Sequence, residues 1–354
     1  MIYLIGGLLL GLIPGIHPNL IINFPFSRTA MFQIIFASLF SGIVPALLFV
    51  PTPESSPSML PGQKMMRKGR MGEAVMEYAL GALLGTLLFV IFSFFYPQLS
   101  SFIFNLRKFT FFFLILFLIP SFIRERRKWE AIFVFLISGI YGALILSSVN
   151  SERFLLAHFS GMFGLTGILL TEELPQQSGE RKLPRIEPLS ALYGTVGGLL
   201  ISLFPGLTPA QVASFLFYLF GAPSSQLVAN GSLTSSSFLF SFLSLYYLGK
   251  GRMAAVEKIA LLPGSLLLPA FASFSLLFLL LPAVVRMSAL ALKARRLVLL
   301  FVLAVVLFYS RFEAIFLLPS FLLGLLPYRL RTGRVHLMGS LALPTLLYYF
   351  GKLK

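Results

Sequence analysis

The sequence has no cysteine, a single tryptophan and no aspartate, so all 12 of its acidic residues are glutamates. Without cysteine there are no disulfides, no thiolate nucleophile and no Cys-ligated metal, although this says nothing about redox compartment. Without aspartate the paired-aspartate chemistry of intramembrane proteolysis is excluded, and no His-Glu-x-x-His segment is present to replace it. The three histidines, His17, His158 and His336, lie far apart and match no ligand spacing. No catalytic or metal-ligating set emerges, and an enzyme is not expected. Charge is also scarce, at 11% of residues against roughly 25% in soluble domains.

What fills the chain is apolar. Of its 354 residues 57% are hydrophobic, and the mean hydropathy is +0.91. Runs at 74–96, 108–123, 131–149, 259–282 and 297–309 carry few or no charges, and several approach the roughly 20 residues that span a hydrocarbon core. A secretory signal would be one short apolar stretch near the start; here the character persists throughout. The net charge of +16 comes from Lys and Arg placed between the apolar runs. That is the pattern of membrane topology rather than of nucleic-acid binding, which is excluded as a partner class.

The sequence repeats itself. Tyr3 to Pro18 contains Gly6-Gly7 and Pro14-Gly15-Ile16-His17-Pro18; Tyr193 to Pro209 contains Gly197-Gly198 and Pro205-Gly206-Leu207-Thr208-Pro209. Lys68-Gly69-Arg70-Met71 recurs as Lys250-Gly251-Arg252-Met253, and Glu130-Ala131-Ile132-Phe133 as Glu313-Ala314-Ile315-Phe316. Three matches in the same order indicate duplication, with a first repeat at 1–170, a polar linker at 171–188 and a second repeat at 189–354. Each repeat holds one broken apolar segment and about five spanning candidates. These lie near 30–50, 74–96, 108–123, 131–149 and 154–170, then near 232–248, 259–282, 297–309, 314–327 and 335–350. An odd number inverts the second copy. With the Lys64–Arg70 loop cytoplasmic, 124–128, 171–188, 286–296 and 329–334 fall on the same side and collect most of the 28 Lys and Arg residues. The Lys250–Arg252 loop would lie outside, a mild violation. The fold class expected is therefore an all-α polytopic membrane protein of two inverted-topology repeats.

Proline removes a helix hydrogen bond and glycine permits unusual dihedrals, so each Pro-Gly-x-x-Pro ends a helix. The apolar run before each break is about 12 residues, roughly 18 Å at 1.5 Å per residue, too short to cross. A re-entrant hairpin satisfies this, with the bare backbone at its tip buried in protein or lining a wet cavity; a pair of proline-kinked spanning helices is the plainer alternative. Short interrupted segments at matching positions in two halves mark a transporter's substrate site. The candidate substrate-binding residues are thus Pro14, Gly15, His17, Pro18 and Asn19 at the first break and Pro205, Gly206, Thr208, Pro209 and Gln211 at the second. Helix N-termini starting there favour an anion. Polar segments after each hairpin add Ser55, Ser56, Asn230, Ser232 and Thr234, from stretches that read equally as surface loop or cavity lining. Glu130 and Glu313, at helix starts, suit the helix dipole or a proton relay. Glu77, one turn inside an apolar run, is a functional candidate or a partner of Lys68 or Arg70.

These motifs, with Leu60-Pro61-Gly62-Gln63-Lys64 and Lys68-Gly69-Arg70-Met71-Gly72-Glu73-Ala74-Val75, resemble the TctA family, the large membrane subunit of tripartite tricarboxylate transporters. The chain looks most like its shorter archaeal-type members. The resemblance implies a secondary carrier of carboxylates such as citrate, coupled to Na+ or H+ and needing no other cofactor, resident in the plasma membrane and fed by a soluble binding protein. One repeat-derived unit would slide or rock against the other. The alternative is a membrane protein that handles or translocates lipid carriers or lipid phosphates, with the Lys64–Arg70 and Lys250–Arg252 clusters gripping headgroups. Partners expected are a small anionic solute or a lipid phosphate, membrane lipids, and a second copy of the chain in a homodimer. Whether a binding protein docks is left open.

Overall fold

The computed structural model describes residues 1–14, 21–22, 24–49, 60–106, 109–123, 125–146, 151–204, 206–249, 251, 253–260, 262 and 264–351. Among them every regular element is helical. The first half contains α1 (Ile2–Gly11), α2 (Arg28–Ser41), α3 (Ile43–Leu48), α4 (Leu60–Arg67), α5 (Met71–Ser93), α6 (Tyr96–Leu106), α7 (Thr110–Ile123), α8 (Lys128–Leu146), α9 (Ser151–Phe159) and α10 (Thr166–Leu170), the last two joined by a π turn at Ser160–Leu165. The second half contains α11 (Pro188–Leu203), α12 (Pro209–Phe220), α13 (Gln226–Leu248), α14 (Ala254–Ile259), α15 (Leu267–Lys293), α16 (Arg295–Ser310), α17 (Leu317–Leu330) and α18 (Gly339–Gly351). Six segments are long and apolar enough to cross a membrane: Arg28–Leu48, Met71–Ser93, Lys128–Leu146, Arg153–Leu170, Leu267–Lys293 and Arg295–Leu330. The chain is thus an all-helical multi-pass membrane protein. The 23-residue α13 has the length, but its serines keep it outside that set.

Close packing explains those serines. In lipid, helices associate through small residues that let backbones approach. A Cβ on Gly231 would lie 1.9 Å from the Tyr78 carbonyl, one on Gly81 2.1 Å from that of Val228, and one on Gly85 2.6 Å from Ser232. On its other face, α13 receives Gly194 against the Ala229 carbonyl and Gly198 against Ser236 Oγ. The buried hydroxyls bond within their own helix, Ser236 Oγ to Ser232 O at 2.6 Å and Thr234 Oγ1 to Asn230 O at 2.9 Å, which satisfies them where water is absent. The 232–237 segment is therefore part of a packed helix rather than a surface loop. Its helix starts earlier than the apolar pattern suggests because Ser225 Oγ caps the Val228 N–H (3.2 Å).

Contacts fix the direction of each helix. Tyr78 meets Gly231, Phe89 meets Phe240 with ring centroids 4.9 Å apart, and Tyr96 OH lies 2.9 Å from Ser244 Oγ, so α5 and α13 run the same way. The same is true of α11 and α13, through Thr195–Ser232 (2.8 Å) and the bond from Ser244 Oγ to Ser202 O (3.1 Å). Thus Gly69, just before α5, and Gly249, just after α13, lie at opposite ends of the bundle. The 171–187 segment crosses the first of these ends as an extended strap. Ser178 N–H donates to Gly69 O (2.7 Å) and Gln177 Nε2 to Met66 O (2.9 Å). Arg181 Nη2 donates to Leu279 O at 2.8 Å, and Arg67 meets Glu172 at 3.3 Å. What reads as a polar linker is bound along its length.

In the first half α1 and α2 run parallel, with Gly7 against Ile34 and Gly11 against Ser38 and Ser41. They start at the far end, where Lys258 Nζ donates to the Ile22 carbonyl. They finish at the strap end, where Thr171 Oγ1 reaches Leu48 O (3.5 Å). Their sequence counterparts α11 and α13 run from the strap end to the far end.

A second group of helices packs beside the first and shares its main core. Gly139 and Gly142 of α8 meet Leu343 and Ser340 of α18, while Gly161 of the π turn and Gly324 of α17 meet Ser320 and Met162. Small buried clusters form there around Leu118, Phe135 and Ala342 and around Val134, Met162 and Leu337. Both packing groups draw helices from both halves, so the repeats interlock.

Candidate functional site

The second Pro-Gly-x-x-Pro builds an antiparallel helix pair. α11 enters from the strap end and stops at Phe204. Gly206 takes φ +86, a left-handed conformation that glycine adopts without strain, and α12 then returns. Its closing end meets the opening of α11: Tyr193 OH donates to Gly221 O (2.8 Å) and Ser190 Oγ lies 3.0 Å from Ser224 Oγ. Pro209 occupies the first turn of α12, where its missing N–H removes nothing. Thr208 and Gln211 form a capping box: Gln211 N–H donates to Thr208 Oγ1 (3.4 Å) and Thr208 N–H to Gln211 Oε1 (2.9 Å). Both side chains are buried. The tip is thus a rigid N-terminus with local dipole charge, and these two polar groups first serve the helix start.

The tip faces the second helix group. A Cβ on Gly206 would lie 2.8 Å from Thr345 Cγ2 of α18. Phe204 and Phe215 pack as tilted ring pairs against Phe113 and Phe117 of α7, with centroids 4.5 and 4.2 Å apart. At the first break Pro14 is buried directly after α1. Gly15, His17, Pro18 and Asn19, together with Pro205, Ser55 and Ser56, lie outside the described residues. Ser232 is fully buried and donates to Ala191 O (2.6 Å), and Thr234 Oγ1 donates to the Asn230 carbonyl in the first turns of α13. Ser232 therefore lies in the α11–α13 interface, near the start of α11 rather than at the hairpin tip.

Sequence reasoning missed three features. Gln63, within the Leu60–Lys64 motif, is 6% exposed, and neither its Oε1 nor its Nε2 has a hydrogen-bond partner among the described residues. Its motif was visible; its burial was not. Glu77 pairs with neither Lys68 nor Arg70. Ser225 Oγ donates to it at 2.9 Å, while Arg70 binds Glu73, which is closer along the turn. Glu77 thereby joins Ser225, Ser190, Ser224 and Glu187 in a polar cluster where the hairpin's ends meet. The histidines, finally, are repeat-related: His158 and His336 each precede a glycine by three positions. His158 Nδ1 lies 2.8 Å from Ser320 Oγ, and the His336 carbonyl accepts from Ser138 Oγ at 3.3 Å. His-x-x-Gly repetition was the signal available.

Outside the spans, Glu125 binds across the halves. Its Oε2 accepts the Gly333 N–H at 2.8 Å and lies 3.1 Å from His336 Nε2. Burial pushes its carboxyl up, but the hydrogen bonds from His336 and Gly333 outweigh this and hold it below the usual carboxylate value. Glu130 lies in the first turn of α8, where the dipole favours it. Glu313 sits in the 3-10 turn Arg311–Phe316 before α17, and its Oε2 is buried without a partner among the described residues. No group of three or more His, Cys, Asp or Glu that could hold a metal occurs among the described residues.

Comparison with known proteins agrees with this architecture. The model of the tripartite tricarboxylate transporter TctA family matches residues 1–256. An uncharacterized protein of Methanocaldococcus jannaschii is 27% identical, with 98% of this chain and 97% of that protein aligned. No solved structure matches. TctA proteins are membrane subunits of transport systems that work with binding-protein partners, not enzymes. With a family match across most of its length and six candidate spans, the chain belongs to the TctA family and is a multi-pass plasma-membrane protein.

Proposed function

We propose that the chain carries an anionic organic solute, a carboxylate such as citrate, across the membrane by alternating access coupled to Na+ or H+. The observation that carries this reading is the α11–α12 pair, whose tip at Phe204–Thr208 sits against Thr345 and Phe113 of the other helix group. A hairpin whose tip opens a helix N-terminus at the boundary between two helix groups suits an anion through the helix dipole. The opposed directions of α1–α2 and α11–α13 support an inverted repeat. Pro14, Gly15, His17, Pro18, Asn19, Pro205, Gly206, Thr208, Pro209 and Gln211 form the proposed site, with the buried amide of Gln63 added. Because the halves interlock, the bodies that move are the two packing groups rather than the two repeats. Coupling answers an energetic need: anion uptake against an inside-negative potential costs about 2.3 kcal/mol per charge per 100 mV. The lipid-carrier reading is not favoured by the family match, which is to transport subunits.

Proteoliposomes holding the purified chain test the proposal. Radiolabelled citrate and related di- and tricarboxylates are offered under inward Na+ or H+ gradients, with and without a co-reconstituted binding protein. Gradient-dependent accumulation is expected for at least one carboxylate. Gradient-independent leakage, or no uptake of any carboxylate under every condition, overturns it.

A further inference from the structure

The strap and the elbow between α15 and α16 enclose a cleft that the transport reading does not use. Its volume is about 1300 Å³. One wall is Glu172–Gln177 of the strap, and the other is the end of α15 and the start of α16. Four cationic side chains line it: Arg286, Lys293, Arg295 and Arg296. Arg295 Nη1 donates to the Thr171 carbonyl at 2.8 Å, which pins the elbow to the strap. Arg286, Lys293 and Arg296 have no carboxylate partner among the described residues, although two glutamates share the cleft. Glu172 is instead drawn to Arg67. Even with Glu173 the cleft keeps an excess of positive charge, which a bound anion offsets.

The cleft is also half apolar. Val285, Ala289, Leu292 and Leu297 line it. Leu297 is 67% exposed, and Leu290, Leu300 and Phe301 are further exposed large apolar side chains at the end of α15 and the start of α16. These helices belong to the segments that cross the membrane, so the outer surface faces acyl chains. A free phosphate or carboxylate would fill only the cationic end of such a cleft. A molecule with an anionic head and hydrocarbon tails fits both ends.

We infer that the cleft binds an anionic phospholipid, with its phosphate held by Arg286, Lys293 and Arg296 and its tails lying along Leu297, Leu300 and Phe301. The lipid is a resident ligand at the membrane surface, not cargo, and the inference stands whether or not the chain carries citrate. Bound there, it bridges the strap, which is fastened to α5, and α16.

The test uses the full purified chain in mild detergent, with phosphatidylglycerol, phosphatidylcholine or inorganic phosphate added and the thermal midpoint followed. Retained lipid is counted by native mass spectrometry. Phosphatidylglycerol is expected to raise the midpoint by several degrees, and phosphatidylcholine and phosphate are expected to leave it unchanged. The triple variant R286Q/K293Q/R296Q should lose most of this rise and at least one retained phosphatidylglycerol. A control at another basic turn, R126Q/K128Q, should keep both. A rise of equal size with inorganic phosphate would make this a site for free anions and overturn the lipid assignment. An undiminished phosphatidylglycerol effect in the triple variant would overturn the location. If the triple variant does not fold, R296Q alone carries the test through the same two readouts, and full lipid retention in it counts against the proposal.

Discussion

At the scale of single residues, space and hydrogen bonding separate structural from functional positions. Gly231 has the Tyr78 carbonyl where a methyl would go, whereas Gly6 has nothing within 4 Å. Overpacking a close contact costs about 1–3 kcal/mol. Gly231→Ala should therefore lower the thermal midpoint of the purified protein by several degrees, and Gly6→Ala should leave it within error; equal effects would contradict the packing described. Gln63 behaves in the opposite sense. Leaving a buried polar group unpaired costs about 1–3 kcal/mol, so Gln63→Leu should hold or raise stability while sharply reducing carboxylate uptake. Unchanged uptake would remove Gln63 from the site. For Glu125 the sign follows from its depressed carboxyl. Its stabilising contribution is complete above the ordinary value of 4.5 and is lost as pH falls through the lower folded value. Glu125→Gln should destabilise the protein at pH 7 and flatten the fall in thermal midpoint on acidification, as measured by scanning fluorimetry from pH 7 to 3. None of these three assignments could be made from sequence, because burial and cross-half pairing depend on residues more than a hundred positions apart.

Elements were more legible than contacts. Apolar runs marked nearly every long helix, and the paired Pro-Gly-x-x-Pro located the break that separates α11 from α12. At α13 the pattern marked the apolar run from 232 but not the start at Gln226, because Ser and Thr at 232–237 also read as a loop. In lipid a hydroxyl can satisfy itself on the preceding turn, and its small volume lets three helices converge. At the strap, polarity marked a linker but not its fastening, in which Ser178 N–H donates to Gly69 O and the Gln177 side-chain amide to Met66 O. At the hairpin, Gly206→Leu would place a side chain on left-handed backbone and into Thr345. Uptake should fall at least tenfold while membrane insertion and monodispersity persist. Wild-type rates in that variant would remove the tip from the transport pathway.

At the scale of the whole molecule, duplication was readable and interlocking was not. The repeats align end to end in sequence, yet in space α5 is most tightly packed by α13, and α8 by α18. A cysteine-free chain is well suited to testing which bodies move. A short bis-maleimide joining F89C to F240C, inside one packing group, should leave uptake intact. One joining F117C to F215C, between the groups, should arrest it. Both pairs also join the first repeat to the second, so arrest by both cross-links would return the motion to the repeats themselves.

The glycine grooves of α5 have a consequence for how the protein is made. Gly81 and Gly85 are synthesised long before Val228 and Ser232, the residues that fill them. Until α13 leaves the ribosome, the nascent first half presents an open small-residue seam to the insertion machinery and to lipid. Folding must therefore conclude after translation of the second half, as a clasping of two incomplete parts. The chain split within 181–186, where the strap has left its anchors on the Lys68–Arg70 turn, should reassemble when both pieces are expressed together, and neither should be recovered intact alone.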